Sequence, residues 1–240
     1  MSSVLALRLA GPLQSWGASS RFTRRTTESA PTKSGVIGLL AAAAGIERGD
    51  DMTLSPLAGL RFGVRIDQPG TRIRDFHTAH HAVTGKSMPL TERFYLADAV
   101  FVAAVEGEHT LLTALHTAVR APVYPPFLGR RSCPPAHPLE LALTENARLE
   151  DVLQELPWQA SAWYRRQHSR RRPETLTVLR EATADEHDAA DTLRDQPLSF
   201  AAAHRRHALR TVVTTTVPLP GASVGAPRHD PFDALEDESS

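Results

Sequence analysis

The order of its apolar segments is the feature that most constrains how this 240-residue chain folds. Strand-like runs cover residues 4–9, 60–67, 95–105 and 139–143, and helix-like runs cover 34–46 and 109–119. This βαββαβ order predicts an α+β, ferredoxin-like domain, in which two crossover helices lie on one face of a four-stranded antiparallel sheet. Open sheets of this type commonly bind RNA.

The polar segment 68–93 interrupts this order. It is too long for a tight hairpin turn, and residues 72–78 within it have a strand-like pattern, so we expect an arm that projects from the sheet. The ferredoxin-like domain with this insertion is predicted to cover residues 1–145.

The remainder divides into a C-terminal extension and a tail. Residues 146–217 predict a smaller, β-containing extension with a helix near 147–156 and strands near 175–180 and 210–217. Residues 218–240 are rich in Gly, Pro and acidic side chains, which predicts a disordered acidic tail.

A cationic loop lies between the first strand and a Gly/Ala-rich helix that begins at Ser34. No acidic residue precedes Glu28. Cations suit phosphates, an indole and an amide suit bases, and the free N–H groups of a helix start favour anions. The loop therefore predicts a surface for a polyanion, with a solvated basic loop as the alternative. Its candidate contacts are Gln14, Trp16, Arg21, Arg24, Arg25 and Lys33.

A second candidate segment is YPPFLGRRSCPP at residues 124–135. Prolines hold its flanks extended, and Gly129 permits a tight turn. Arg130, Arg131 and Ser132 then present several hydrogen-bond donors from a nearly rigid loop, which suits phosphate or a base edge. A rigid surface connection with solvated arginines is the alternative.

Catalysis has weaker support in the sequence. His77, His80 and His81 lack a carboxylate at a metal-binding spacing, so we predict no metal and no cofactor. His77, Tyr124 and Lys33 have side chains that suit acid-base chemistry, so a metal-independent endoribonuclease stays open as an alternative. No nucleophile-elbow or phosphate-loop motif is present, which disfavours a serine hydrolase or an NTPase.

Composition places the chain among soluble globular proteins of a reducing compartment. Cys133 is the only cysteine, and the longest apolar run, residues 35–46, is too short to span a bilayer. We therefore expect a cytoplasmic protein with no membrane partner. Five arginines between residues 165 and 172 are read as a solvated run, or alternatively as a contact for a partner or a nucleic-acid backbone.

Five motifs then occur in an order that resembles a known family. They are LRLAGPLQSWG at residues 7–17, PTKSGVIGLL at 31–40, RDFHT at 74–78, YLADA at 95–99 and LGRRSCP at 128–134. Together they are similar to the family-five Cas proteins of the type I-E CRISPR surveillance complex Cascade, closely over residues 4–145 and loosely beyond.

The resemblance implies a RAMP-type ferredoxin-like domain with a protruding β-hairpin thumb, here the arm 68–93. It implies a non-catalytic subunit that binds the 5′ handle of the CRISPR RNA and caps one end of the complex. In the type I-C branch, by contrast, the family-five protein is itself the endoribonuclease. The implied handle contacts are Gln14, Trp16, Arg21, Lys33, Ser34, Arg74, His77, Tyr124, Arg130, Arg131 and Ser132.

The implied partners follow from the same resemblance. They are the CRISPR RNA, the neighbouring backbone subunit of Cascade, which the thumb contacts, and the large subunit that recognises the protospacer-adjacent motif. Target DNA is an indirect partner through the large subunit.

Overall fold

The computed structural model describes residues 2–17 and 24–220. Its strands are β1 (Ser2–Ala10), β2 (Leu13–Gln14), β3 (Arg24–Arg25), β4 (Arg61–Gln68), β5 (Thr71–His77), β6 (Thr91–Ala97), β7 (Val100–Glu108), β8 (Glu140–Glu145), β9 (Thr175–Glu181), β10 (Asp191–Ser199) and β11 (Arg206–Pro218). Its helices are α1 (Lys33–Ala43), α2 (Asp51–Ala58), α3 (His109–Arg120), α4 (Leu149–Glu155), α5 (Ala162–Gln167) and a 3₁₀ helix (Ala184–Ala189).

Seven strands form one sheet in the order β10-β11-β9-β4-β7-β1-β8, and every neighbouring pair is antiparallel. The four strands predicted from periodicity are β4, β7, β1 and β8, which lie side by side. The sheet is wider than the predicted four strands because β9, β10 and β11 continue it beyond β4. The fold is thus a mixture of helices with a mostly antiparallel sheet.

Helices cover both faces of this sheet. Alternate side chains of a strand point to opposite faces, so Leu5 packs with α1 and α3 residues such as Ile37 and Leu112. Val4 faces the other way and packs against Leu153 of α4. Burial on both faces explains why β1 reads as an almost continuous apolar run.

The predicted strand 95–105 is in fact two strands in different sheets. β6 belongs to a small second sheet with β2, β3 and β5, whereas β7 lies inside the large sheet. The chain turns between them at Asp98, whose φ is 56°. Gln68 donates a hydrogen bond to the Asp98 carbonyl and fixes this turn. The apolar pattern runs straight across the break, so periodicity alone could not locate it.

The arm predicted at residues 68–93 is a β-hairpin whose inner strand extends to Ala97. β5 and β6 pair antiparallel from Thr71 with Ala97 to His77 with Thr91. Every residue from 71 to 90 is exposed, whereas Tyr95 and Leu96 at the base of β6 are buried. The hairpin therefore projects from the domain on a buried base.

Helix α1 begins close to its predicted start and ends at Ala43, three residues before the predicted end. Gly45, with a φ of 76°, donates its N–H to Ala42 O, and Ile46 donates to Ala41 O. This left-handed glycine closes the helix. Within α1, Gly35 lies in close contact with the ring of Trp16.

The C-terminal segments depart from the sequence interpretation in two ways. The extension contains the 3₁₀ helix (Ala184–Ala189) and β10 (Asp191–Ser199), for which the sequence predicted no element. The tail was predicted to begin at Pro218, yet β11 includes Pro218, and Leu219 is buried with its N–H bonded to Glu174 O. The predicted boundary is two residues too early, and the rest of the tail lies outside the described residues. No helix in the described part of the chain has the length and apolarity needed to cross a bilayer.

Candidate nucleic-acid interface

A cleft of about 1220 Å³ lies between α1 and the loop 124–134. Among the residues that the structure describes, six arginines line it, against one acid, Glu47. They are Arg25, Arg48, Arg93, Arg130, Arg131 and Arg205. Such an excess of cations over acids in one concave surface favours a polyanionic ligand.

Two segments singled out in the sequence form one wall of this cleft together. Ser15 N–H donates to Leu128 O at 3.0 Å, and Leu128 N–H donates to Cys133 O at 2.7 Å. Gly129 has a φ of 83° and passes so close to the Ser15 carbonyl that a Cβ would overlap it. The loop that carries Arg130 is therefore held directly against the segment after β1.

Arg130 is the best-supported donor in the cleft. Its guanidinium lies 4.7 Å from the ring centroid of Tyr95, and Nη2 donates to Arg25 O at 3.0 Å. Its Nη1 is buried and has no hydrogen-bond partner in the described structure, and the same is true of Nε of Arg93. Buried donors without partners cost free energy, which a ligand with acceptor oxygens would relieve.

The rim and the far wall add groups of other kinds. Tyr124 is half-exposed beside α1, while Arg131 and Ser132 are exposed on the loop and Ser34 is nearly buried at the start of α1. His207 of β11 is half-buried, and burial together with the nearby Arg205 lowers its pKa. A neutral imidazole at this position offers both a donor and an acceptor.

Sequence reasoning missed four of these polar residues. Arg48 follows α1 and Arg93 lies in β6, while Arg205 directly precedes β11 and His207 lies in it. No local motif marks them, because the fold brings them together from distant segments.

Gln14 and Trp16 are predicted as ligand contacts, but their side chains are buried and form hydrogen bonds within the protein. Gln14 is fully buried and donates from Nε2 to Leu9 O and Ala99 O, while its Oε1 accepts from Trp16 Nε1. Trp16 is 1% exposed. Both side chains therefore position the loop, and the buried Trp16 also forms part of the cleft wall.

Lys33 also has its hydrogen-bond partners within the protein. Its Nζ lies 2.7 Å from Glu181 Oε1, and its backbone N–H donates to the buried carboxylate of Asp195. Burial lowers the pKa of the Lys33 amine, which Glu181 partly offsets. Asp195, itself paired with Arg210, thus occupies the helix start where we expected an external anion.

Other candidates lie outside the cleft. Arg74 is on the exposed strand β5, 3.6 Å from Glu92 and over the ring of Phe76, and His77 ends the same strand. His80 and His81 form hydrogen bonds within the hairpin tip. Among residues 2–17 and 24–220 no group of three or more potential metal ligands occurs.

The predicted N-terminal arginines also differ in where they lie. Arg25 lines the cleft, and the backbone of Arg24 pairs with that of Glu92 in β6. Arg21 lies outside the described residues.

Comparison with known proteins places this geometry in a family. Residues 4–213 match the family model described as "CRISPR-associated protein (Cas_Cas5)". The CRISPR system Cascade subunit CasD of Escherichia coli (strain K12) is 39% identical over 159 residues, which cover 59% of this chain and 71% of that protein.

Two solved structures are similar over almost the whole chain. A crystal structure of a Cas protein has 37% identity and a TM-score of 0.69, covering 90% of this chain and 97% of its own. A chain from a CRISPR RNA-guided surveillance complex has 31% identity and a TM-score of 0.71, covering 98% of both. Because the family match spans most of the sequence, this protein belongs to the Cas5 family of CRISPR-associated proteins.

Proposed function

We propose that this protein is a non-catalytic subunit of a Cascade-type surveillance complex and that it binds the 5′ handle of the CRISPR RNA in the arginine cleft, capping one end of the complex. Membership is supported by the similarity to a Cascade subunit and to a chain from a surveillance complex. The observation that carries handle binding is the pair of buried, unpartnered donors on Arg93 and Arg130 inside a cleft with six arginines.

The chemistry of the cleft suits single-stranded RNA. Phosphate oxygens accept charge-assisted hydrogen bonds from guanidinium groups, and unstacked bases pack on exposed aromatic rings such as Tyr124. Arg130 is already held by Tyr95 and Arg25, so it loses little conformational entropy on binding. In this proposal Arg130 and Arg93 are the central contacts, and Arg25, Arg131, Ser132 and Ser34 surround them.

We further propose that residues 1–145 form a ferredoxin-like RAMP domain. The order β4-β7-β1-β8 with α1 and α3 on one face supports this assignment. The hairpin β5–β6 is then the thumb, which contacts the neighbouring backbone subunit, while the large subunit contacts another surface and links the protein indirectly to target DNA. Residues 146–217 form the extension that widens the sheet.

The endoribonuclease alternative lacks an observation in its favour. Of the three side chains that suited acid-base chemistry, Lys33 is buried against Glu181, His77 lies on the projecting strand β5, and Tyr124 lies in the cleft. We therefore propose no second function.

Changing Arg130→Ala together with Arg131→Ala tests the cleft. We expect the affinity for labelled handle RNA to fall about tenfold or more, because two charge-assisted contacts are lost. The slope of log K against log salt should also flatten by about 0.7 for each phosphate contact removed. Fluorescence anisotropy of the purified protein with handle RNA measures both quantities.

The matched control is Arg120→Ala with Arg148→Ala, which removes the same charge from exposed residues outside the cleft. An equal loss of affinity in this control, or no loss in the cleft variant, would place the handle elsewhere.

Deleting residues 79–90 tests the role of the hairpin tip. His77 and Thr91 are paired and only Thr78 remains between them, so a two-residue turn put in place of residues 79–90 can rejoin β5 and β6, and the deleted residues are all exposed. We expect an unchanged melting temperature and reduced co-purification with the tagged backbone subunit and CRISPR RNA, because the exposed Val83, Met88 and Leu90 are lost.

A second variant, Val83→Ser with Met88→Ser, keeps the length of the hairpin and removes only apolar contacts. A lower melting temperature of the deletion variant would mean that the tip supports the core. Normal assembly of both variants would exclude the tip from the subunit interface.

A further inference from the structure

A second cationic surface lies around α5 and the turn that follows it. Its five arginines are exposed, and none lies within ion-pair distance of a carboxylate in the described chain. They are Arg165, Arg166, Arg170, Arg171 and Arg172. Several other arginines do pair with carboxylates, as Arg61 does with Glu106 and Glu150, whereas no ion pair is formed by the arginines of the cleft within the described part of the chain. The sequence places no Asp or Glu between Glu155 and Glu174, so this charge is not neutralised locally.

An aromatic stack lies beneath these arginines. Trp158 is 6% exposed, and its Nε1 donates to Asp67 O at 2.8 Å. Tyr164 packs edge-on against Trp158 at 6.2 Å between ring centroids, and the His168 ring lies 4.1 Å from the Tyr164 ring. Arg172 lies 5.7 Å from the Trp158 centroid. The arginine surface therefore rests on a packed cluster of aromatic rings.

Trp163 is the exposed member of this group. Its indole meets Tyr164 edge-on at 5.7 Å and an angle of 83°, and 46% of the residue remains accessible. A large ring that is held by a neighbour yet left open to solvent is a platform on which a flat group can stack.

The surface and the cleft lie on opposite faces of the sheet. Trp158 packs with Leu176, which shares a strand face with Val178, and Val178 packs with the core beneath α4. The cleft borders α1, which covers the other face. A short handle bound in the cleft therefore leaves the α5 surface free for a different ligand.

We propose that α5 and residues 168–172 form a second binding site, which takes single-stranded nucleic acid other than the handle. Unpaired arginines supply contacts to phosphates, and Trp163 supplies stacking for a base. A single strand fits better than a duplex because the base faces of a duplex are already stacked. An exposed indole among unpaired cations is the combination with which proteins hold single strands, and this favours a nucleic acid over an acidic protein as the ligand. This site goes beyond the proposed handle binding and does not depend on it.

The test uses the full chain with handle-free oligouridine and oligothymidine of about twenty nucleotides, longer than a typical single-strand site. We expect Trp163→Ala, and separately Arg170→Ala with Arg171→Ala, each to weaken binding about fivefold or more. The pair Arg120→Ala and Arg148→Ala is the charge-matched control. Comparing the two oligonucleotides distinguishes an RNA ligand from a DNA ligand.

Tryptophan emission gives a second readout. Of the three tryptophans, Trp16 and Trp158 are buried, so quenching by a stacked base reports on Trp163. Trp163→Phe keeps a ring against Tyr164, and we expect it to abolish the quenching while retaining most of the affinity that Trp163→Ala loses. This rescue separates stacking from a folding defect.

Three results would overturn the proposal. The first is that the surface variants bind the oligonucleotides as tightly as the charge-matched control does. The second is that only the Arg130→Ala, Arg131→Ala variant loses oligonucleotide binding. The third is that duplex DNA competes as strongly as single strands do. The second result would mean that single strands enter only the cleft. Handle RNA, measured in parallel, reports on the proposed function independently, because the surface variants should bind it normally.

Discussion

Replacing Gly129 with alanine is expected to weaken handle binding about ten- to a hundredfold and to lower the free energy of unfolding by about 2–3 kcal/mol. Gly129 has a φ of 83°, in the left-handed region that disfavours a side chain. The added Cβ would also overlap the Ser15 carbonyl oxygen, which is backbone and cannot rotate away. The loop must therefore shift, and Arg130 moves with it.

The shift of the loop weakens handle binding because it moves Arg130. Its guanidinium is held by Tyr95 and by the Arg25 carbonyl, and both contacts depend on where the loop leaves Gly129. Anisotropy with handle RNA and urea unfolding measure the two effects.

Gly85→Ala is a matched control for this prediction. Gly85 also has a positive φ, 65°, but nothing lies within 4 Å of the position of a Cβ there. It should lose about 1 kcal/mol of stability at most and bind handle RNA normally. If Gly129→Ala behaved like Gly85→Ala, the close contact with Ser15 would not govern the cleft.

Changing Arg65→Ala is expected to cost about 3–5 kcal/mol of the free energy of unfolding. Arg65 is fully buried, and its Nε and Nη2 donate to the carboxylate of Asp67 at 2.7 and 3.0 Å. Its remaining N–H groups donate to the carbonyls of Leu153, Leu156 and Pro157, just at and beyond the end of α4. The change leaves a buried carboxylate uncompensated and three carbonyls without their donor.

Denaturant unfolding measures this loss against two references. Arg148→Ala removes an exposed arginine 4.0 Å from Glu150 and should change stability by less than about 1 kcal/mol. Arg65→Met with Asp67→Leu removes both buried charges, and we expect it to recover part of the loss. A loss below about 1 kcal/mol for Arg65→Ala would show that water or rearrangement replaces the ion pair.

Periodicity predicted the central strands and two helices because their side chains obey one rule, burial on a fixed face. β1 and β4 bury both faces and appear as apolar runs, and α3 begins after β7 where the strand pattern ends. The break at Asp98 was missed because the end of β6, residues 95–97, and the start of β7 are both apolar, and a single residue with a positive φ separates the two strands. Short elements such as α2 have too few residues for a pattern to appear.

The candidate site was predicted less completely, for a physical reason. The sequence shows which side chains have polar groups but not which polar groups are already used inside the fold. Lys33 and Gln14 suit an anion or a base by composition, yet Glu181 and backbone carbonyls satisfy them internally. Arg93 is the last residue of the polar segment 68–93 in the sequence interpretation, and only the tertiary structure places its unpartnered Nε in the cleft.

The burial of Leu219 has a consequence for where the chain can be shortened. Leu219 packs in the same cluster as Trp158 and Leu176, and its N–H donates to Glu174 O. This cluster is part of the apolar base on which the α5 surface rests, and Leu219 is its most C-terminal member among the described residues. Truncation of the chain before Leu219 therefore opens that base and disturbs the α5 arginines together with the end of β11, whereas truncation after Pro220 keeps the cluster intact.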